Sequence, residues 1–258
     1  MTKPRNYQTE AIIIKKTKLG EADRILTFYT PHLGKIQAVA KGVRRPRSKL
    51  SGHLELLTHS QVSLARGRNL DTVTGSKTIH SFLPLKSDLW LTSCGLYCIE
   101  LVNQFTADHV ENHPLFQLLL EIMHHLCQAD DSELVLRYYE LNLLNKVGYK
   151  PQLQQCVMCR LPLQLTINSF SPGAGGMLCS GCSRNQPLTY SVSVNGQKVL
   201  RWLQNSDGDT VGRQRVTPEL SREIERVMRG YVRYLLERDV KSAAWLDTLK
   251  REQETILK

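Results

Sequence analysis

The sequence predicts an α+β protein in which a small closed β-barrel precedes a helical domain that carries a cysteine-rich insertion. Three observations support this fold class. Residues 8–80 contain five short segments of β-branched and apolar residues, separated by turns that bear glycine or proline. From Pro84 onward, apolar residues recur at helical spacing. Residues 151–190 interrupt that helical pattern with glycines, prolines and two CxxC pairs.

The five β segments alternate in polarity or consist of β-branched runs, as strands with one buried face do. They are Thr9–Lys15, Arg24–Thr30, Lys35–Ala40, Leu54–Leu64 and Thr72–Ile79. Five short strands in about 70 residues match the strand number and size of an oligonucleotide-binding (OB) barrel, which binds chains across one face and its flanking loops. We therefore predict an OB-fold nucleic-acid-binding domain over residues 1–82.

The helical pattern covers most of the remaining chain, and we assign residues 83–258 to a helical domain with a zinc-finger insertion at 151–190. Thr217 is a suitable N-cap for the strongest helix, and Gly148 a suitable C-cap before Pro151. The predicted helices are 85–103, one that begins at Pro114, one from Ser132 to Val147, 192–203 and 218–239.

The net charge of +10 lies entirely in the N-terminal part of the chain. Residues 1–80 contain 15 basic and 5 acidic residues, whereas residues 81–258 contain 19 of each. Such a field attracts polyanions to one face, so nucleic acid is the leading partner and an anionic membrane surface the second. No apolar stretch approaches the roughly 20 residues of a membrane helix, and the polar N-terminus lacks a signal core. We expect a bacterial cytoplasmic protein.

Two cysteine pairs carry the clearest chemical signal. Cys156 and Cys159 form one CxxC turn, and Cys179 and Cys182 form the other. Each turn can present two thiolates to one ion, and the loop between them can bring the turns together. The spacing predicts one structural Zn²⁺ ion with four protein ligands, because a closed site leaves no position for a substrate.

A run of basic residues without an acid follows the third predicted strand. It contains Lys41, Arg44, Arg45, Arg47 and Lys49, and Gly42 and Pro46 keep it out of helix and sheet. Arginine suits phosphate because its planar fork bonds bidentately and also stacks on bases. Arg66 and Arg68 occupy another apparent turn. We predict phosphate contacts here, although a solvated charge run is the usual explanation of such clusters.

Other features point to binding and away from catalysis. The chain lacks phosphate-loop, GxGxxG, GxSxG and HExxH motifs, so we expect no enzyme and no small-molecule substrate. His109 and Glu111 followed by a CxxC pair echo zinc deaminases, but Gln155 replaces the proline of that signature and the second CxxC pair completes the ligand set. The ridge of Arg222, Arg226, Arg229 and Arg233 is most simply a solvated helix face, and a DNA or partner contact stays open.

The N-terminal half resembles the bacterial RecO family of recombination mediators. The resemblance rests on residues 10–15, 20–25, 34–35 and 38–42, with Thr27, Thr30, Arg44, Arg45 and Ser48. The two CxxC pairs and a closing helix with Lys241, Ser242 and Leu246 are also similar. The match extends over nearly the full length, and its specific part is residues 9–50.

This resemblance implies an OB-fold, a helical domain and an inserted zinc finger. It implies binding of single- and double-stranded DNA, annealing of complementary strands, and work with RecR to load RecA onto strands coated by single-stranded DNA-binding protein (SSB), whose acidic and apolar C-terminal tail is a further partner. The family's basic barrel loop falls on Lys41, Arg44, Arg45, Arg47 and Lys49, with Lys35 and Arg66 as additional DNA-binding residues. Two alternatives remain: a zinc-containing protein-interaction adaptor, and an RNA-binding OB protein without annealing activity.

Overall fold

A closed five-stranded barrel forms the N-terminal part of the computed structural model, which describes residues 4–256 and side chains up to residue 252. The strand order is β1-β2-β3-β5-β4, and β4 pairs back onto β1. Neighbouring strands are antiparallel except β3 and β5, which are parallel. The strands are β1 (Asn6–Leu19), β2 (Asp23–Thr30), β3 (Gly34–Ala40), β4 (His59–Ala65) and β5 (Asp71–His80). The predicted OB-like barrel is thus confirmed.

The long strand β1 closes the barrel because it pairs with two neighbours. Its first half pairs with β4 and its second half with β2, and Ile12 has a partner in each. A bulge between Ile13 and Lys15 bends the strand where it changes partner. Alternate apolar side chains point inward and form one core, which includes Ala11, Ile13, Leu26, Phe28, Ile36, Val62 and Leu64. This core fixes which residues of each strand and loop face solvent.

The fourth strand begins later than the sequence predicts. The pattern indicates a strand from Leu54, whereas β4 begins at His59 and residues 51–53 form a 3₁₀ turn. Leu54 is still almost fully buried in the barrel core, although it lies in a loop. Leu57 adopts a left-handed conformation that a strand does not allow. Apolar spacing predicts burial here correctly but cannot distinguish a packed loop from a strand.

Three helices follow the barrel: α1 (Leu83–Ser87), α2 (Leu89–Phe105) and α3 (His113–Leu126). They form one compact unit with it, since the first of two such units ends at Cys127. Asp88 and Asn112 cap α2 and α3, each accepting a hydrogen bond from the third residue beyond it. The segment between α2 and α3 packs on the β2–β3 turn. There Gly34 is left-handed, and a Cβ atom would lie 2.1 Å from the carbonyl oxygen of Val110.

The second compact unit begins at Gln128 and is helical, with a small sheet inserted after its first helix. Its predicted helices are confirmed. Thr217 accepts a hydrogen bond from the Leu220 N–H, and Gly148 is left-handed just after the first helix. Its elements are α4 (Ser132–Lys146), β6 (Asn168–Ser171), β7 (Gly176–Leu178), α5 (Ser180–Ser183), β8 (Tyr190–Val192), α6 (Val194–Asn205), α7 (Gly208–Gly212), α8 (Pro218–Leu236) and α9 (Lys241–Ile256). None of the described helices is long and apolar enough to cross a membrane.

Candidate metal centre and nucleic-acid interface

The four cysteines of the two CxxC pairs meet at one point. The Sγ atoms of Cys156, Cys159, Cys179 and Cys182 all lie within 4.8 Å of one another, and those of Cys159 and Cys179 are 3.9 Å apart. A tetrahedral ion with metal–sulfur bonds of about 2.3 Å requires sulfur atoms about 3.8 Å apart. A disulfide requires about 2.05 Å. The thiols are therefore free and arranged to hold one tetrahedral metal ion.

Backbone hydrogen bonds hold the two cysteine turns in place. Within the first turn, the Arg160 N–H donates to the Cys156 carbonyl at 2.9 Å, and Arg160 is left-handed. The Val157 N–H donates to Met177 of β7 at 2.9 Å, which ties this turn to the sheet β7-β6-β8. The second turn directly follows β7: Cys179 precedes α5, and Cys182 lies within it. The hairpin of β6 and β7 thus brings together pairs that are distant in sequence.

Electrostatics favour a bound cation at this centre. Burial raises the pKa of the Cys156 thiol, but backbone N–H groups of Cys159, Cys179 and Met158 outweigh it and lower that pKa to about 6. The hydrogen bond with Cys179, burial and the neighbouring thiols raise the pKa of Cys182 to about 12. One thiolate thus opposes the ionisation of the others, and a divalent ion relieves that repulsion. All four ligands of such an ion would come from the protein, which leaves no open position for a substrate.

The deaminase arrangement is not formed. The group that could hold a metal among the described residues contains four cysteines and no histidine. His109 is left-handed in the loop before α3, and Glu111 instead places Oε1 3.1 Å from Nδ1 of His32.

The predicted basic loop after β3 is exposed and firmly anchored. Its five cations, Lys41, Arg44, Arg45, Arg47 and Lys49, all belong to exposed residues. Between them Val43 is buried in the barrel core. The Gly42 N–H donates to Oδ1 of Asp23 at 2.7 Å, and the Arg44 N–H donates to the Ala22 carbonyl at 3.0 Å. The backbone is therefore fixed on the β1–β2 turn while the charged side chains point to solvent.

Strand register brings the three basic segments of the barrel to the same region. Lys18 of β1 pairs with Arg24 of β2, and Arg24 pairs with Ala40, directly before the basic loop. On the other side of β3, Ala38 pairs with Asp71, the residue after the β4–β5 turn that contains Arg66 and Arg68. Residues Lys15 and Lys18 are exposed, whereas Lys16 is ion-paired with Glu55. Cations of β1, of β2 and of the β4–β5 turn thus belong to segments that flank the end of β3 on its two sides.

Arg66 adds an aromatic contact to this region. Its guanidinium carbon lies 4.7 Å from the ring centroid of Tyr7, and its Nε donates to the Pro4 carbonyl at 3.1 Å. The Tyr7 hydroxyl donates to Asp71, and burial together with this hydrogen bond raises the pKa of Tyr7. The ring is therefore held neutral and in place, with the Arg66 guanidinium over its face.

Lys35, which the resemblance implies as a DNA-binding residue, has a different environment. Its side chain is 11% exposed, and Nζ donates to the carbonyls of Asn103 at 2.9 Å and Thr106 at 2.7 Å. Asp108 lies 3.4 Å from the same nitrogen. Lys35 thus neutralises the C-terminal end of α2. This placement does not favour a phosphate contact.

The arginine ridge of α8 makes contacts within the second unit. Arg222 is paired with Glu219 and Arg233 with Asp239, both at the surface. Arg226 donates to the Ser191 carbonyl at 3.2 Å. Arg229 is largely buried between Glu225 and Asp247, in a network that also contains Arg137, Glu140 and Lys250. The ridge is therefore partly structural.

The structure also contains a groove that the sequence does not indicate. A cavity of about 550 Å³ lies beside the start of β1, where residues from β1, β4, the β2–β3 turn and α3 meet. Tyr7 and Arg66 line one part of it, and His32 and His113 another. Since these residues are up to about 100 positions apart, no local pattern could reveal the groove.

The fold and sites define a class: an OB-barrel protein with a basic rim and a four-cysteine metal centre. Comparison with known proteins narrows this class to one family. The family model described as Recombination protein O N terminal matches residues 1–82, and Recombination protein O C terminal matches residues 86–244. The chain belongs to the RecO family of DNA repair proteins.

Individual relatives support this assignment over almost the whole chain. The DNA repair protein RecO of Dehalococcoides mccartyi strain CBDB1 is 47% identical, over 97% of this chain and 98% of the relative. That of Roseiflexus sp. strain RS-1 is 41% identical, over 97% and 88% respectively. That of Heliobacterium modesticaldum is 34% identical, over 96% and 91%.

Proposed function

We propose that this protein is a recombination mediator that binds single- and double-stranded DNA and anneals complementary strands without covalent chemistry. The observation that carries the proposal is the exposed loop 41–49, which has five cations and no acid and is anchored on the barrel beside two further basic segments. Cations so placed neutralise phosphates of two strands at once. The repulsion between the two phosphate backbones is then screened, and the complementary bases pair.

The test is annealing of two complementary labelled oligonucleotides across a salt series, with the full chain and a loop variant. Arg45→Ala combined with Arg47→Ala is suitable because both residues are exposed, whereas Arg44 also bonds the Gly20 carbonyl at 3.2 Å. The matched control is Arg184→Ala with Arg213→Ala, which removes the same charge from exposed residues of the second unit.

The wild-type chain should accelerate annealing at low salt, and the acceleration should decline as salt rises. Each neutralised phosphate contributes about −0.7 to the log–log salt slope of single-strand binding, so five loop cations give about −3.5 and the loop variant about −2.1. An unchanged slope in the loop variant would exclude this loop as the interface. DNA binding that does not depend on salt concentration, or no DNA binding, would favour the protein-interaction adaptor. Tighter binding of RNA than of DNA oligonucleotides, without acceleration of annealing, would favour the RNA-binding alternative.

The metal in this proposal is one structural Zn²⁺ ion held by Cys156, Cys159, Cys179 and Cys182. Soft thiolates in a tetrahedral set select zinc over harder divalent ions. The ion's contribution is to stabilise the inserted element, which has only the three short strands β6, β7 and β8 and a single helical turn.

The proposed partners follow from family membership: RecR, the SSB tail and, indirectly, RecA, in the bacterial cytoplasm at the nucleoid. The second unit offers one place that suits an acidic and apolar tail. A cavity of about 780 Å³ at the end of α8 is lined by apolar residues, two arginines and two acids: Leu188, Tyr190, Tyr234, Leu235, Arg233, Arg238, Glu237 and Asp239. Apolar side chains of the tail would enter the cavity, and its carboxylates would compete with Asp239 for Arg233.

Binding of a labelled peptide with the SSB tail sequence tests whether this cavity holds the tail. Tyr234→Ala should weaken its binding, whereas Tyr149→Ala, which alters a tyrosine of similar exposure outside the cavity, should not. Equal affinity of both variants and the wild type would place the tail elsewhere. Co-purification with RecR tests the remaining contact.

A further inference from the structure

The groove beside the start of β1 is lined by residues from several segments of the barrel unit. Residues 7–10 of β1 line it together with Gln61 of β4 and Arg66 of the β4–β5 turn. Residues 31–33 of the β2–β3 turn, and His113 and Gln117 of α3, complete the lining. All of these residues belong to the first compact unit. A volume of about 550 Å³ lies within the range of pockets that enclose small organic groups.

Two pairs of planar groups line this groove. The guanidinium of Arg66 lies over the Tyr7 ring, as described above. The rings of His32 and His113 stack with centroids 5.2 Å apart and planes inclined by 20°. Flat π surfaces and guanidinium planes are the groups on which unpaired bases stack, whatever their sequence.

Neutral hydrogen-bonding groups also line the groove. The amides of Gln8, Gln61 and Gln117 carry donors and an acceptor, as base edges require. Nε2 of Gln8 donates to Oγ of Ser63 at 3.1 Å, and Nε2 of Gln117 lies 3.4 Å from Nε2 of His113. The one acid of the lining, Glu10, has its carboxylate 3.2 Å from Nε2 of His59. The groove thus combines stacking surfaces and amides, whereas the loop 41–49 offers cations alone.

Arg66 connects the groove to the basic region. It belongs to the β4–β5 turn, whose following strand pairs with the end of β3 next to the basic loop. A strand whose phosphates follow the basic loops therefore reaches the groove at Arg66 without leaving the surface of the barrel unit.

We infer that this groove holds unpaired bases of a single DNA strand while the loop 41–49 holds phosphates. The inference rests on the proposed function and adds that bases and phosphates are bound at two different places on the barrel unit. Bases that stack in the groove distinguish a single strand from a duplex, whose bases are already stacked on each other. The groove then gives the preference for single strands, and the basic loops give affinity for any DNA.

The experiment compares the full chain with a groove variant, His113→Ala combined with Gln61→Ala. Both residues lie at the groove surface and outside the barrel core. The matched control is His53→Ala with Gln104→Ala, which alters the same residue types in the same unit outside the groove. Each is titrated across salt with a single-stranded oligonucleotide, an abasic oligonucleotide of equal length, and a duplex.

The wild type and the control should bind the normal single strand about tenfold more tightly than the abasic strand, since one stacked base contributes about that factor. In the groove variant this difference should disappear, with the salt slope and duplex affinity unchanged. Equal affinity of the wild type for normal and abasic strands would overturn the inference and leave the phosphate-based function intact. A groove variant that still prefers the normal strand would also overturn the inference. Absence of all DNA binding would instead refute the proposed function.

Discussion

Replacing Lys35 by methionine separates a DNA-binding role from a structural one. The ammonium makes two charge-assisted hydrogen bonds to carbonyls at the end of α2 and lies 3.4 Å from Asp108. A hydrogen bond to a charged group contributes about 1.5–3 kcal/mol, and the methionine side chain recovers part of this by apolar burial. We expect Lys35→Met to lower the free energy of unfolding of the barrel unit by about 2–4 kcal/mol. The salt slope of DNA binding should not change.

Hydrogen exchange of the barrel amides in the full chain measures the stability of this unit separately from the second one. The matched control is Lys41→Met, at an exposed position six residues further on. It should change the free energy of unfolding by no more than about 0.5 kcal/mol, and it should make the salt slope shallower by about 0.7. The reasoning is refuted if Lys35→Met leaves stability unchanged and reduces the slope as Lys41→Met does.

Three other perturbations probe the metal centre, the histidines and a close backbone contact. Cys159→Ser should abolish stoichiometric zinc binding and loosen the inserted sheet, as measured by metal analysis and hydrogen exchange, whereas Cys127→Ser, outside the cluster, should retain the metal. Burial lowers the pKa of His59 and of His124, so the unfolded chain binds protons more readily, and the barrel unit should lose stability as pH falls from about 7 towards 5. A flat pH profile in denaturant titrations would contradict this. Gly34→Ala should destabilise the barrel unit by more than about 2 kcal/mol, because a Cβ atom would overlap a neighbouring carbonyl and the residue is left-handed; thermal unfolding at wild-type temperature would disprove it.

The sequence determined those features that depend on neighbours along the chain. Alternating apolar residues predicted the five strands. Helical spacing with Thr217 and Gly148 predicted α4, α6 and α8 of the second unit, but not α7, and α9 was expected only from the family resemblance. The two CxxC pairs indicated the metal centre because each turn sets two thiolates by local geometry alone. The lack of acidic residues in 41–49 likewise indicated an exposed basic loop, because charge composition is read from consecutive residues.

Tertiary structure decided which of these side chains are exposed and can contact a partner. Lys35 has the same charge as Lys41, but packing of the segment after α2 onto the β2–β3 turn buries one and leaves the other in solvent. Arg229 belongs to an apparently exposed ridge, yet α9 supplies Asp247 and draws it into an ion-pair network. The groove at Tyr7 and His113 exists only because the barrel closes and α3 packs beside it. Pattern along a chain specifies local conformation and the tendency to be buried, whereas the partner of a long polar side chain depends on segments that are distant in sequence.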